Sequence, residues 1–261
     1  MRRAWLAVPL ICLVAAAATA QRERPLSVVV YDARGVAPSA LRTALEAFTA
    51  AGMEARAITP DDVRTGALDG ADVVLFTGGR GSLQGQLLGE DGRARVRRFV
   101  REGHGYLGIC AGAYLAIQGP EEFHKVGIVA AHNATGDRWQ RGVVPTPVVP
   151  NDGSPPITLH YANGPLLARE TVRGLAPYVA LATFDADVYW ERYDTHAGEM
   201  PGTPAVAAAR YGEGRIVLFS PNPTLEPAHP DLLVRAARWV AQAGPVPPDL
   251  RWGDVFGAAT R

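Results

Sequence analysis

Cys110 is the residue in this sequence best placed to do chemistry. It sits in Gly105-Tyr106-Leu107-Gly108-Ile109-Cys110-Ala111-Gly112-Ala113-Tyr114. An apolar run that reads as a buried strand ends at the cysteine, and a helical stretch starts directly after it. Glycines two before and two after the cysteine let the chain turn sharply, as in a Gly-x-nucleophile-x-Gly elbow. Such a turn lifts the sulfur above the carboxyl edge of a sheet, where open α/β sheets place their ligands. The helix N-terminus beneath it predicts a thiolate and a lowered pKa. The chemistry implied is attack on an amide or related carbon, or reversible oxidation of the thiol.

Supporting groups come from other segments. Thr77-Gly78-Gly79-Arg80-Gly81-Ser82 follows an apolar run one strand before the elbow. Its glycines let backbone N–H groups point at an anion, so the Gly79 and Ala111 N–H groups form the predicted oxyanion hole. His160, at a strand end, and His229, just before a late helix, are the histidines able to serve as base or pocket group. His104 precedes the Cys110 strand and belongs at the opposite end of the sheet. His124, His132 and His196 read as structural. No metal site is expected: the histidines lack ligand spacing, and Asp185, Asp187, Glu191 and Asp194 lack the glycine and terminal glutamate of a calcium loop. Trp139, Trp190 and Tyr161 are read as core packing. No cofactor is implied.

The elements that must position these groups alternate. Leu26–Tyr31, Glu54–Ile58, Asp72–Phe76 and Gly105–Ile109 read as strands. Pro38–Ala51, Arg93–Glu102 and Ala111–Gln118 read as helices. This alternation predicts an α/β three-layer sandwich with a mostly parallel central sheet, flavodoxin-like in type. Residues 126–161 mix Pro, Gly and Asn with short apolar runs, Val126–Val129 and Ile157–Leu159 among them, and predict an antiparallel excursion. Tyr178–Phe184, Ala205–Tyr211 and Arg215–Phe219 read as further strands, and Asp231–Ala241 as the last helix. One domain is expected over 21–244, with a Pro-rich tail over 245–261 packing loosely on the surface.

With those residues set out, the chain resembles the class I glutamine amidotransferase-like superfamily. Within it the chain is similar to the family named for the N-terminal domain of some biotin–protein ligases. The resemblance rests on Thr77-Gly78-Gly79-Arg80-Gly81, Phe99-Val100-Arg101-Glu102-Gly103, Tyr106 through Ala116, and His160-Tyr161-Ala162-Asn163-Gly164-Pro165. It covers roughly residues 26–243 and includes nothing like the catalytic half of a biotin ligase, so it implies no biotin chemistry. It implies a ligand site around Cys110 with Gly78, Arg80, Tyr114, Asn163, Asn222 and Glu226 as contacts. It also places Asp32 near the cysteine, because some relatives carry an acidic residue there. Members that hydrolyse glutamine pair the cysteine with a histidine in a late His-Pro-Glu segment. Here that segment reads Asn222-Pro223-Thr224, and an amide cannot accept a proton near neutral pH. Glutaminase activity of the Cys–His type is therefore not expected.

Lys plus Arg and Asp plus Glu are both 26, so net charge is zero, which removes the footprint of a nucleic-acid binder. The cluster Arg93, Arg95, Arg97, Arg98, Arg101 reads as a solvated helix face. Residues 1–20 carry Arg2 and Arg3, an apolar run, and Ala18-Thr19-Ala20, the layout of a cleaved signal peptide. Export to the periplasm or medium follows, with no stable membrane association after cleavage. Cleavage also removes Cys12, the only other cysteine, and leaves Cys110 as an unpaired exported thiol. Two functional readings stay open. One is a cysteine hydrolase acting on a C–N bond of a small molecule or peptide with a non-standard base. The other is a redox-sensing or small-molecule-binding module. Nothing in the sequence fixes an oligomeric state.

Overall fold

Short aliphatic, β-branched runs build the central sheet of the computed structural model, which describes residues 24–136, 138–193 and 196–257. The expected leader and Asp194 lie outside the described residues. The strands are β1 (Ser27–Tyr31), β2 (Glu54–Ile58), β3 (Val73–Phe76), β4 (Gly105–Ile109), β5 (Ala131–Asn133), β6 (Val143–Pro150), β7 (Ile157–Ala162), β8 (Leu167–Arg169), β9 (Val179–Phe184), β10 (Pro204–Tyr211) and β11 (Gly214–Phe219). Nine of them form one sheet in the order β2-β1-β3-β4-β11-β10-β9-β6-β7, and β5 pairs with β8. The β2-β1-β3-β4-β11 part is parallel. The rest is an antiparallel arm.

Helices cover both faces: α1 (Pro38–Ala50), α2 (Pro60–Thr65), α3 (Gly81–Arg101), α4 (Ala111–Ala116), α5 (Pro230–Val240) and α6 (Trp252–Phe256). Side chains alternate between faces along each strand. Val28, Val30, Val73, Leu75, Leu107 and Ile109 pack with Phe48 of α1, Leu233 of α5 and Phe256 of α6. Val29, Tyr31, Val74, Phe76 and Tyr106 pack with Val63, Leu88, Val96 and Leu115 on the other face. Each such side chain, fully buried, contributes about 1.5–3 kcal/mol of hydrophobic stabilisation. The result is the expected three-layer α/β sandwich. Among the described residues no helix is long and apolar enough to cross a membrane.

Three local expectations are corrected. Val126–Val129 is not a strand. The N–H groups of Val126, Ile128 and Val129 bond the Leu115 and Ala116 carbonyls, so this segment satisfies the open end of α4. The arginine-rich helix starts at Gly81 rather than Arg93, with a kink at Gly89 (φ 66°, ψ 175°). Its basic face is partly engaged: Arg93 and Arg97 pair with Glu90, and Arg101 reaches the Tyr211 hydroxyl. The tail from Pro245 is not loose. Leu250, Trp252, Val255 and Phe256 are buried in the same cluster as Cys110. Asn151 pins the segment through hydrogen bonds to the Leu250 carbonyl and the Trp252 N–H.

Candidate functional site

The elbow forms where it was predicted. Cys110 lies between β4 and α4 at φ 48°, ψ −98°, a conformation rare for a residue with a side chain. Such a backbone costs on the order of 1–3 kcal/mol and persists only where the surroundings fix it. Its N–H bonds the Phe219 carbonyl of β11 at 2.8 Å, and its carbonyl accepts from the Tyr114 N–H at 2.9 Å. The flanking glycines are required by close approach. A β-carbon on Gly108 would lie 2.7 Å from the Gly112 carbonyl oxygen, and one on Gly112 would lie 2.0 Å from that of Phe76.

The Gly79 and Ala111 N–H groups both hydrogen-bond the Cys110 sulfur. The two amides predicted to hold an oxyanion thus converge on one spot. Gly79 holds φ +140°, and a β-carbon there would meet the Gly35 carbonyl oxygen at 1.9 Å, so only glycine fits this approach.

Two findings depart from the expected setting. The antiparallel arm curls back over the carboxyl ends of the parallel strands, and its edge strand β7 reaches the cysteine. The Sγ–H donates to the Ala162 carbonyl at 3.4 Å, and the Asn222 N–H bonds the His160 carbonyl at 2.7 Å. Cys110 is left 8% exposed. Burial pushes the thiol up to about 11, and the Gly79 and Ala111 N–H groups only partly offset it. The expected low-pKa thiolate is therefore corrected to a neutral thiol. A helix of six residues beneath the sulfur is too short to outweigh the desolvation caused by β7. One hollow of about 60 Å³ lies beside Leu68, Arg95, Phe99 and His104. An open depression is lined by Tyr189, Trp190, Glu191 and Arg192. Neither is lined by Cys110.

Asn222 occupies the position of the missing base. It is 3% exposed, and its Oδ1 accepts from the Thr224 N–H at 2.9 Å and the Thr224 hydroxyl at 2.7 Å. That leaves its amide nitrogen, a donor, turned toward the site. A β-carbon on Gly78 would lie 3.3 Å from Asn222 Nδ2 and 3.8 Å from Cys110 Cβ. Thr224 thus orients Asn222 as a glutamate would orient a histidine, but the group presented can only donate.

The other candidates are placed as follows. His160 Nδ1 meets the Glu226 carbonyl at 2.7 Å, so that nitrogen donates and its partner is the main chain; the Glu226 side chain is exposed. The His229 N–H bonds the Pro223 carbonyl ahead of α5, and the Asp32 N–H bonds the Ile58 carbonyl. The hydrogen bonds of Cys110 Sγ run to Ala162, Gly79 and Ala111, not to His160, His229 or Asp32. Arg80 is exposed at the start of α3. Asn163 sits at φ 55° and spends its Oδ1 on the Arg141 and Gly142 N–H groups, which makes it a turn residue. Tyr114 is near the sulfur electrostatically, and its buried hydroxyl has no hydrogen-bond partner. His104 stacks on Phe99 at the far end of the sheet. His132 faces Glu170 at 3.6 Å. Tyr161 is core, whereas Trp139 and Trp190 are 44% and 39% exposed. Among the described residues no group of His, Cys, Asp and Glu is arranged to hold a metal ion.

Arg141 was not anticipated. Fully buried, it pairs with Glu199 at 2.6 Å and Asp187 at 3.7 Å, and donates to the Val188 and His196 carbonyls. It fastens the loops beside β6 and so supports β7 over the cysteine. Its partners lie more than forty residues away in sequence, so no local pattern announces it.

Residues 26–133 match the family described as biotin-protein ligase, N terminal. A solved glutamine amidotransferase matches the structure with TM-score 0.57 and 24% identity, covering 82% of this chain and 99% of that one. A β-galactosidase from Bacillus circulans sp. alkalophilus matches at TM-score 0.47 and 12% identity over 76% of this chain and 28% of its own. No curated protein matches the sequence.

Proposed function

We propose that this chain, whose residues 26–133 match the family described as biotin-protein ligase, N terminal, and whose fold is glutamine amidotransferase-like, is an exported binding protein which uses the elbow to hold a small polar ligand and does not hydrolyse glutamine. One observation carries the reading: Asn222, its Oδ1 held by Thr224, sets a donor amide beside Gly78 and Cys110 where a base is needed. At pH 7 a thiol titrating near 11 is about one part in ten thousand thiolate. The Gly79 and Ala111 N–H groups and the Asn222 amide are all donors, and together they suit a ligand oxygen. Burial also argues against peroxide sensing, which needs an accessible thiolate.

The test is ammonia release from glutamine by the purified chain beside Cys110→Ser and the double variant Asn222→His, Thr224→Glu. Wild type and Cys110→Ser are expected to be equally inactive. The double variant supplies a base held by a carboxylate, and its Cys110 is expected to react with iodoacetamide at pH 7 at least about tenfold faster than wild type. Ammonia release by wild type that disappears in Cys110→Ser would overturn the proposal in favour of a hydrolase with an unusual base. Export is tested separately, by sequencing the N-terminus of the protein recovered from the producing cell.

A further inference from the structure

Lys125 is the only lysine in a sequence whose Lys and Arg total 26. It follows the single helical turn Glu121–Phe123 and packs onto the helix behind the elbow. Its Nζ donates to the Tyr114 carbonyl at 2.7 Å. The ammonium also lies 5.2 Å from the centre of the Tyr114 ring and 5.6 Å from that of Phe123. Glu121 and Glu122 are exposed, and no carboxylate enters its electrostatics. Burial alone lowers the amine, to about 8. An arginine here would satisfy the carbonyl and stay charged, whereas a desolvated lysine titrating at about 8 holds about a tenth of its population as neutral amine at pH 7.

We propose that Lys125 is a carbonyl-reactive amine that captures an aromatic aldehyde as an imine, using the Tyr114 and Phe123 rings as its platform. The Nζ lone pair attacks the aldehyde carbon and forms the C–N bond. The carbonyl electron pair moves to oxygen, which takes up a proton to give a carbinolamine. Loss of water then forms C=N, so amine plus aldehyde gives imine plus water with no change in oxidation state. A protonated imine keeps one N–H for the Tyr114 carbonyl. Phe123, 37% exposed, leaves ring surface open for an aromatic group to stack.

The experiment traps the imine. The folded full chain is treated at pH 7 with benzaldehyde or propanal and cyanoborohydride, with Nα-acetyl-lysine in the same tube as reference, and the Lys125 peptide is followed by mass spectrometry. Lys125 is expected to be benzylated at least about tenfold faster than the reference amine, as a lysine of lowered pKa should be. It should also prefer benzaldehyde over propanal relative to the reference, and Phe123→Ala should abolish that preference while propanal labelling persists. Phe123→Leu, which keeps an apolar side chain, serves if the alanine variant does not fold. Labelling of Lys125 no faster than the reference, or an aldehyde preference unchanged when the ring is removed, would overturn the assignment.

Discussion

Gly112→Ala is expected to destabilise the protein by at least about 3 kcal/mol, the range of severe overpacking against backbone. The alanine methyl would sit 2.0 Å from the Phe76 carbonyl oxygen and 2.7 Å from its carbon, distances no rotamer change relieves because both atoms are main chain. Relief requires α4 to move away from β3. That movement would unseat the Ala111 N–H from the Cys110 sulfur and the Tyr114 N–H from the Cys110 carbonyl. Urea unfolding measures the cost. A loss under 1 kcal/mol would mean that β3 and α4 are not packed as described.

Arg141→Ala is expected to cost about 3–5 kcal/mol, the penalty of breaking a buried ion pair by removing one partner. The guanidinium is fully buried and donates to the Val188 carbonyl, the Glu199 carboxylate and the His196 carbonyl, besides its pairing with Asp187. Its loss leaves Glu199, whose side chain is 23% exposed, with Arg138 at 2.8 Å as its remaining arginine partner, and leaves Asp187 without the arginine it pairs with. Burial alone would raise the Glu199 carboxyl. The hydrogen bonds from Arg141 and the His196 N–H, with the Arg138 and Arg141 charges, overcome that and hold it below its ordinary 4.5. The sign follows from the lowered value: this stabilisation is present above pH 4.5 and is lost as pH falls through the folded-state value. Arg141→Ala should therefore flatten the acid limb of the stability profile as well as lower the plateau. A plateau within 1 kcal/mol of wild type would show that the arginine does not hold these loops.

The elbow was legible because everything that makes it is local. β4 is a continuous apolar run, and Gly108 and Gly112 bracket Cys110 within five residues. The Gly78-Gly79 turn was legible for the same reason. The state of the sulfur was not. A helix N-terminus is visible in sequence, but the Ala162 carbonyl arrives from 52 residues away and closes the site. β6 was obscured by Pro145, Pro147 and Pro150. The strand tolerates the first two because β9 pairs only with Val148–Pro150, so Pro145 and Pro147 lie in the stretch of β6 whose ladder is with β7 and not with β9, an edge-like setting. The tail carried a readable signal in the spacing of Trp252, Val255 and Phe256, one face of a helix, which its proline content masked. Asn222 and Thr224 were recognised as replacements of a base and its partner. That they still bond each other, and set a donor beside Gly78 and Cys110, depends on how the turn after β11 folds and is invisible in residue type alone.

A protonated resting thiol at Cys110 fixes how its alkylation by iodoacetamide must vary with pH. In the folded chain, monitored by circular dichroism, the rate should climb without a plateau through pH 9 and approach a midpoint near 11. A plateau reached by pH 8 would reveal a thiolate at neutral pH, and with it a primed nucleophile instead of a ligand contact.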